Sequence, residues 1–151
     1  MSQLMLLFRV GTERFALETH AIVEIIHRVE LERNHGTSTL VGRFNYHGEI
    51  VPVLDTSQLL AGSTCQAKLG TRIVLINLTQ AEQTQKIFGL LVEQVTETVS
   101  IDQFSTVGEV TIQDARESAY PYLGRTWLYE QKMIQCLHAD KLLDVLTLNT
   151  H

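Results

Sequence analysis

Histidine, thiol and carboxylate spacing sets the chemistry open to this 151-residue chain. His20, His27, His35, His47, His138 and His151 invite a metal reading. None stands at a ligand spacing such as H-x-x-x-H or C-x-x-C, so no metal site is expected and the histidines read as surface or turn residues. His47, Asp55 and Ser57 lie close in sequence and supply the side-chain types of a nucleophilic triad. No G-x-S-x-G elbow carries Ser57, which has a simpler use as a cap for the turn Gln58-Leu59-Leu60. The acid pairs Glu30/Glu32 and Glu93/Glu97 suit solvated faces better than acid–base machinery. Neither G-x-x-x-x-G-K-[ST] nor G-x-G-x-x-G occurs, so no nucleotide site and no cofactor is expected.

Composition narrows the partners. The formal net charge is -5, which disfavours a polyanion, because phosphate binding needs a local surplus of Lys and Arg. Only 7% of residues are aromatic, too few for a wall of base-stacking platforms. Nucleic acid is therefore not expected. No run approaches the roughly 18 apolar residues of a membrane helix, and the opening Met1–Phe8 lacks the length and cationic lead of a secretory signal. A cytoplasmic protein with no direct membrane insertion is expected. Cys65 and Cys136 do not make a disulfide framework. Cys65, in a Gly/Ser/Thr stretch, reads as an exposed loop thiol, and Cys136, in an apolar run, as a small buried hydrophobe.

Thr, Val and Ile together account for 39 residues, and the apolar runs are short and punctuated, so strands dominate. Strands are expected over Leu4–Val10, Arg14–Leu17, Ala21–Val29, Leu40–Tyr46, Ile50–Leu54, Thr71–Leu78, Lys86–Val95, Tyr122–Tyr129 and Lys132–Leu137. Gly11-Thr12-Glu13, His47-Gly48-Glu49 and Glu130-Gln131 read as turns. Pro52 suggests an edge strand or a bulge. Short helical pieces are expected at Asp55–Leu60, Gln113–Ala119 and Ala139–Leu146, and 61–70 reads as a linker.

The halves echo each other. Phe15-Ala16-Leu17 recurs as Phe88-Gly89-Leu90, an offset of 73 that also matches Ile22 to Val95 and Glu24 to Glu97. Gly48–Asp55 aligns with Gln131–His138 at an offset of 83, and each is followed by a Leu-Leu pair. Two small β modules, each marginal alone, would bury a shared core between them.

Four blocks then resemble a known family in order and spacing, from about Leu6 to Leu143. Ile22-Val23-Glu24-Ile25 resembles its V-x-E-I signature. Val41 to Asp55, containing Asn45-Tyr46-His47-Gly48 and Pro52-Val53, resembles its central block, usually G-x-x-N-x-R-G-x-x-x-P-V-x-D-L. Thr71-Arg72-Ile73-Val74 and Gly89–Val95 resemble its R-I-V and G-x-x-V-D-x-V blocks. The family is the CheW-like coupling proteins of bacterial chemosensory arrays. Within it, Phe44–Gly48, Thr71–Val74 and Tyr122-Leu123-Gly124 look most like members of Wsp-type surface-sensing or pilus pathways.

The resemblance implies an all-β fold of two SH3-like, five-stranded barrel subdomains sharing a core. It implies one domain over 1–151, with subdomains near 14–65 and 71–146 and strand exchange between them left open. It implies no enzyme but an adaptor that couples a chemoreceptor's cytoplasmic tip to the regulatory domain of a histidine autokinase. Ile22, Val23, Glu24 and Val99 would line the receptor groove, with Arg43, Phe44 and Tyr46 on the kinase. The sequence departs from the pattern at His47, where the family has Arg. That Arg commonly faces the Glu of V-x-E-I, so Glu24 and His47 are expected as a structural ion pair. His138 likewise replaces the usual Asp, and Arg33–Thr39 lacks the usual prolines. The competing reading is a small β-barrel ligand-binding protein or enzyme using the His47/Asp55/Ser57 neighbourhood, which needs a pocket with convergent polar groups.

Overall fold

Residues 3–27, 32–33, 40–63, 65, 68–79, 84–107 and 120–149 are described by the computed structural model. Short apolar runs between tight turns fold as successive hairpins. β1 (Leu4–Val10) and β2 (Glu13–Glu18) flank Gly11-Thr12. A 3-10 turn (Thr19–Ala21) leads into β3 (Ile22–His27). The two-residue β4 (Glu32–Arg33) precedes the hairpin of β5 (Leu40–Tyr46) and β6 (Glu49–Asp55). After α1 (Thr56–Ala61) come β7 (Arg72–Thr79), β8 (Gln85–Val92) and β9 (Gln94–Ser100). A second 3-10 turn (Ile101–Gln103), β10 (Ser105–Thr106), β11 (Leu123–Tyr129), β12 (Lys132–Leu137) and α2 (Ala139–Asn149) complete the order. The strand expected over Lys86–Val95 is divided at Glu93. The helix expected over Gln113–Ala119 lies outside the described residues, as do Glu30, His35 and His151.

The class is all-β, in two six-stranded sheets. The first runs β10-β11-β12-β2-β1-β9 and the second β4-β5-β6-β8-β7-β3. The two orders correspond strand for strand, and each sheet takes strands from both halves of the chain, β1–β6 and β7–β12. Each contains one parallel pairing. Cys136 pairs with Ala16 and Leu137 with Leu17 in the first; Val53 pairs with Gly89 and Leu54 with Leu90 in the second. These are the residues related by the offsets of 73 and 83. The irregularities repeat as well: the register slips at Val23 in β3 and at Thr96 in β9, again 73 apart.

Each sheet must curl. Its end strands are consecutive in sequence, with His27 and Glu32, or Ser100 and Ser105, five residues apart. That is at most about 18 Å of chain, whereas six strands at roughly 4.8 Å spacing would hold the ends of a flat sheet about 24 Å apart. The described ladders remain open between these end strands, so the sheets are curled rather than closed. Without the two-residue β4 and β10, each sheet has the five strands expected from the resemblance.

Three apolar clusters follow from the curl. Leu6, Phe8, Phe15 and Leu17 of the first sheet meet Leu54, Val74, Ile76, Phe88 and Leu90 of the second in a central core, which Leu142, Leu143 and Leu146 of α2 cap. Met5, Leu7, Ala16, Phe104, Tyr129 and Ile134 fill the inside of the first sheet. Val51, Val53, Ile73, Leu75 and Leu91 fill the inside of the second. β1 and β7 are covered on both faces, which is why they read as nearly unbroken apolar runs. Pro52 is not on an edge strand, since β6 lies between β5 and β8. The sheet tolerates it because the parallel ladder to β8 begins only at Val53, past the missing N–H.

Candidate functional site

β3 ends the second sheet with one side on β7 and its other edge outside the ladder. On it Val23 is 48% and Ile25 39% exposed. Ile22 is half-buried against the central core, and Ile26 against the cluster inside the second sheet. The alternation that would separate a dry from a wet face is offset by the bulge at Val23. The corresponding positions of β9 are Thr96 and Thr98, both exposed. Thr96 Oγ1 donates to the Leu7 carbonyl at 3.2 Å, so the bulge there is tied down by a hydroxyl. The fold thus accepts polar residues at these two places, and β3 carries apolar ones.

Expected groove residues do not all converge. Val99 is half-buried, paired with Met5 and packed on the cluster inside the first sheet, whereas Ile22 lies on the central core. They belong to different clusters. Ile25, which the groove assignment lacked, is more exposed than Ile22.

The expected Glu24–His47 ion pair does not form. Glu24 Oε1 instead accepts a hydrogen bond from Tyr46 Oη at 3.3 Å, and the His47 ring stands edge-on to Tyr46 with centroids 4.4 Å apart. The reason is geometric. Tyr46 ends β5 on the face turned toward β3, while His47 has entered the turn with φ 49° beside Gly48 at φ 89°. A residue one place along a hairpin projects elsewhere. Burial and then the Glu24 charge raise the Tyr46 hydroxyl pKa above its ordinary 10.0. The other sheet repeats the arrangement: Tyr129 Oη donates to Glu97 Oε2 at 3.3 Å, 83 and 73 residues on. Tyr129 is raised too, by burial and then by Glu130 and Glu97. Each Tyr–Glu bond joins an end strand, β3 or β9, to the second strand from the opposite end, β5 or β11. The sequence signal for it was the pair of offsets applied to Glu24 and Tyr46 together.

The expected kinase contacts also divide. Phe44 and Tyr46 pack on the cluster inside the second sheet and touch each other edge-on, with centroids 6.3 Å apart. Arg43 is exposed, and strand alternation turns it to the opposite face. On β6 beside this hairpin, Ile50 is 62% exposed.

The His47/Asp55/Ser57 neighbourhood is not a catalytic site. β6 separates His47 from Asp55 by roughly 20 Å of extended chain. Asp55, 1% exposed, is the cap of α1 in place of Ser57: its Oδ1 accepts from Ser57 N at 2.9 Å and Gln58 N at 3.2 Å, and its Oδ2 from Cys65 N at 2.9 Å. Ser57 Oγ donates to Glu93 Oε1 at 3.0 Å, and Glu93 Oε2 accepts from Gly11 N at 3.0 Å. Every polar group there is committed to structure. Cys65 is half-buried on the cluster inside the second sheet rather than exposed, and Cys136 is half-buried rather than fully covered. Among the described residues no group of His, Cys, Asp and Glu could hold a metal ion, and no helix is long and apolar enough to cross a membrane.

The described residues form an all-β molecule of two matching, curled sheets around a common core, with exposed apolar side chains on the strand at one sheet end. A sequence profile described as the CheW-like domain matches residues 4–147, and the chain belongs to that family. Among solved structures it is similar to the scaffolding protein TtCheW from Thermoanaerobacter tengcongensis, at 20% identity and a TM-score of 0.72 over 92% of this chain and 86% of that one. No curated protein sequence matches it.

Proposed function

We propose that this chain is a non-enzymatic adaptor, placing a histidine autokinase beside a chemoreceptor tip in a chemosensory array of the cytoplasm. Family membership supports the class of activity. The observation that carries the site is the contrast between Val23 and Ile25 on β3 and Thr96 and Thr98 on β9. Apolar side chains that the fold does not require are left for a partner. A receptor tip is a helical hairpin, and an apolar wall suits a helix laid along it. Val23 and Ile25 form that wall, Ile22 supports it from below, and the Glu24–Tyr46 bond fixes the strand. Val99 holds β9 in place.

Arg43 and the exposed Ile50 form the kinase-facing part of the β5–β6 hairpin, with Phe44 and Tyr46 as its support. The two curled sheets act as subdomains of one domain, with their first hairpins exchanged. Function here is effective concentration and fixed geometry, with no bond made or broken.

The test is co-elution of the chain with the regulatory domain of the histidine kinase encoded nearest to it, with and without a receptor-tip fragment. A ternary complex at micromolar affinity is expected. Failure to bind any histidine kinase of its own cell would remove the coupling reading. The kinase and receptor recovered also decide whether the pathway is a surface-sensing one.

A further inference from the structure

The duplication also exposes a place where the halves do not match. At the α1 end, the strand-to-helix corner is filled with hydrogen bonds: Ser57 to Glu93, Gly11 to Glu93, and Thr56 Oγ1 to the Leu91 carbonyl at 2.7 Å. The same offsets put His138 where Asp55 stands, Asp140 where Ser57 stands and His20 where Glu93 stands. That second corner is a cleft of about 130 Å³ between β2, β7 and the start of α2. Leu17, Ala21, Leu78, Leu137 and Ala139 make its apolar lining, and Glu18, His20, His138 and Asp140 its polar rim. The only side-chain contact among these rim residues is His20 Nδ1 to Glu18 Oε2 at 3.2 Å. The His138 ring lies against Gly124, where an added Cβ would come within 2.8 Å of Nε2.

We propose that this cleft receives an arginine side chain presented by a partner protein. Glu18 and Asp140 put two carboxylates on the rim, in a chain whose formal net charge is already -5. A guanidinium is the cation that suits the rim, because it pairs with carboxylates in a planar fork and stacks on flat rings, here the imidazoles. The apolar lining takes the methylene stem, as arginine stems commonly lie on apolar surface. A lysine head would use the charge but neither the fork nor the stacking. The proposal does not depend on which protein occupies β3.

The experiment is a titration of the full chain with N-acetyl-arginine amide, followed by amide proton–nitrogen shifts. Saturable shifts confined to Glu18–Ala21, Leu137–Asp140 and their neighbours are expected, several-fold tighter than with N-acetyl-lysine amide. Glu18→Gln and Asp140→Asn should each weaken binding roughly tenfold, the scale of one lost charge-assisted contact, and the double variant should weaken it further. Both residues are on the rim, so folding is expected to hold; an unchanged amide spectrum elsewhere confirms it, and either single variant serves if the double does not. Shifts that never saturate, an unaffected double variant, or inorganic phosphate moving the same amides in place of the arginine probe would each overturn the assignment.

Discussion

Replacing Val23 by Asp separates folding from docking, because the side chain is 48% exposed, sits in a bulge and belongs to none of the three apolar clusters. Fully burying such a side chain stabilises by about 1.5–3 kcal/mol, so roughly 1 kcal/mol is still to be gained when a helix covers the exposed half. A carboxylate under that helix also lacks a partner, at a cost of about 1–3 kcal/mol. The expected loss is therefore about 2–4 kcal/mol, or roughly 30- to 700-fold in Kd for the receptor-tip hairpin. Stability in urea should change by less than about 1 kcal/mol. The milder double variant Val23→Thr with Ile25→Thr gives β3 the residues that β9 already carries. It should leave the unfolding midpoint in place and still lose most of the binding. Ile22→Asp is the wrong probe, since it drives a charge toward the central core and lowers stability and binding together. Calorimetric titration of each variant with the hairpin, alongside urea unfolding, makes the distinction. Wild-type affinity in a stably folded Val23→Asp chain would refute the wall on β3.

Further outcomes follow from the interior. Asp55→Ala strips the acceptor from three backbone N–H groups at a 1% exposed site and should lower stability by about 3–5 kcal/mol in urea; Asp55→Asn, which keeps one oxygen, should lose less. Gly89→Ala places a methyl 2.8 Å from Ile73 Cγ2 and 3.2 Å from Val53 Cγ2, so a cost of about 1–3 kcal/mol is expected. Ile73→Ala removes the Cγ2 methyl that the new Cβ would meet, so the double variant should lose less stability than the two single changes summed. The β11–β12 turn holds Glu130 and Gln131 at φ 52° and 66°, where the other hairpin has His47-Gly48. Glu130→Asn with Gln131→Gly should stabilise by about 1–2 kcal/mol, measured by thermal unfolding. Tyr46 and Tyr129 hold their protons more tightly folded than unfolded, so their contribution is whole below about pH 10 and is lost as pH rises through the folded values. Unfolding midpoints should fall above pH 10 in the wild type and fall less in Tyr46→Phe with Tyr129→Phe; equal alkaline loss would reject the bonds.

The hairpins were readable because their signals are local. β5 and β12 begin and end where alternation and turn residues place them, and Glu130-Gln131 forms a turn even without glycine. The pairing of β2 with β12 and of β6 with β8 is not local, since at least a whole strand and a helix intervene in each case. The repeated triplets nonetheless mark where it falls: Phe15, Ala16 and Leu17 pair with β12, and Gly89 and Leu90 with β6. Side-chain partners were harder. The family pattern pointed to position 47 as the partner of Glu24, and the true partner sits one residue earlier, a shift that period-2 geometry turns into a change of face. Ser57 was similarly displaced as a cap by Asp55, two residues before it, because the helix starts at Thr56.

A duplicated fold supplies its own control for deciding which residues belong to structure. Where both halves keep a feature, the fold accounts for it: Phe15 and Phe88 are both in the central core, Val23 and Thr96 both sit in bulges, and Glu24–Tyr46 and Glu97–Tyr129 both join an end strand to the second strand from the opposite end. Where the halves differ, the fold alone does not account for it. Arg14 of β2 lies over the Tyr129 ring at 5.2 Å and donates to the Tyr129 carbonyl at 3.2 Å, so a cation reaching across β12 steadies the tyrosine that is bonded to Glu97. Its counterpart 73 residues on is Ile87, packed on the cluster inside the second sheet, so Tyr46 lacks that arginine. Tyr46 is the tyrosine bonded to Glu24, between exposed Val23 and Ile25. On the proposed function, a partner covering β3 supplies there what Arg14 supplies to Tyr129. If that is the division of labour, hydrogen exchange at β3 and β5 should slow on receptor binding, while β9 and β11 stay protected throughout. Equal protection in both sheets of the free chain would remove the asymmetry from the argument.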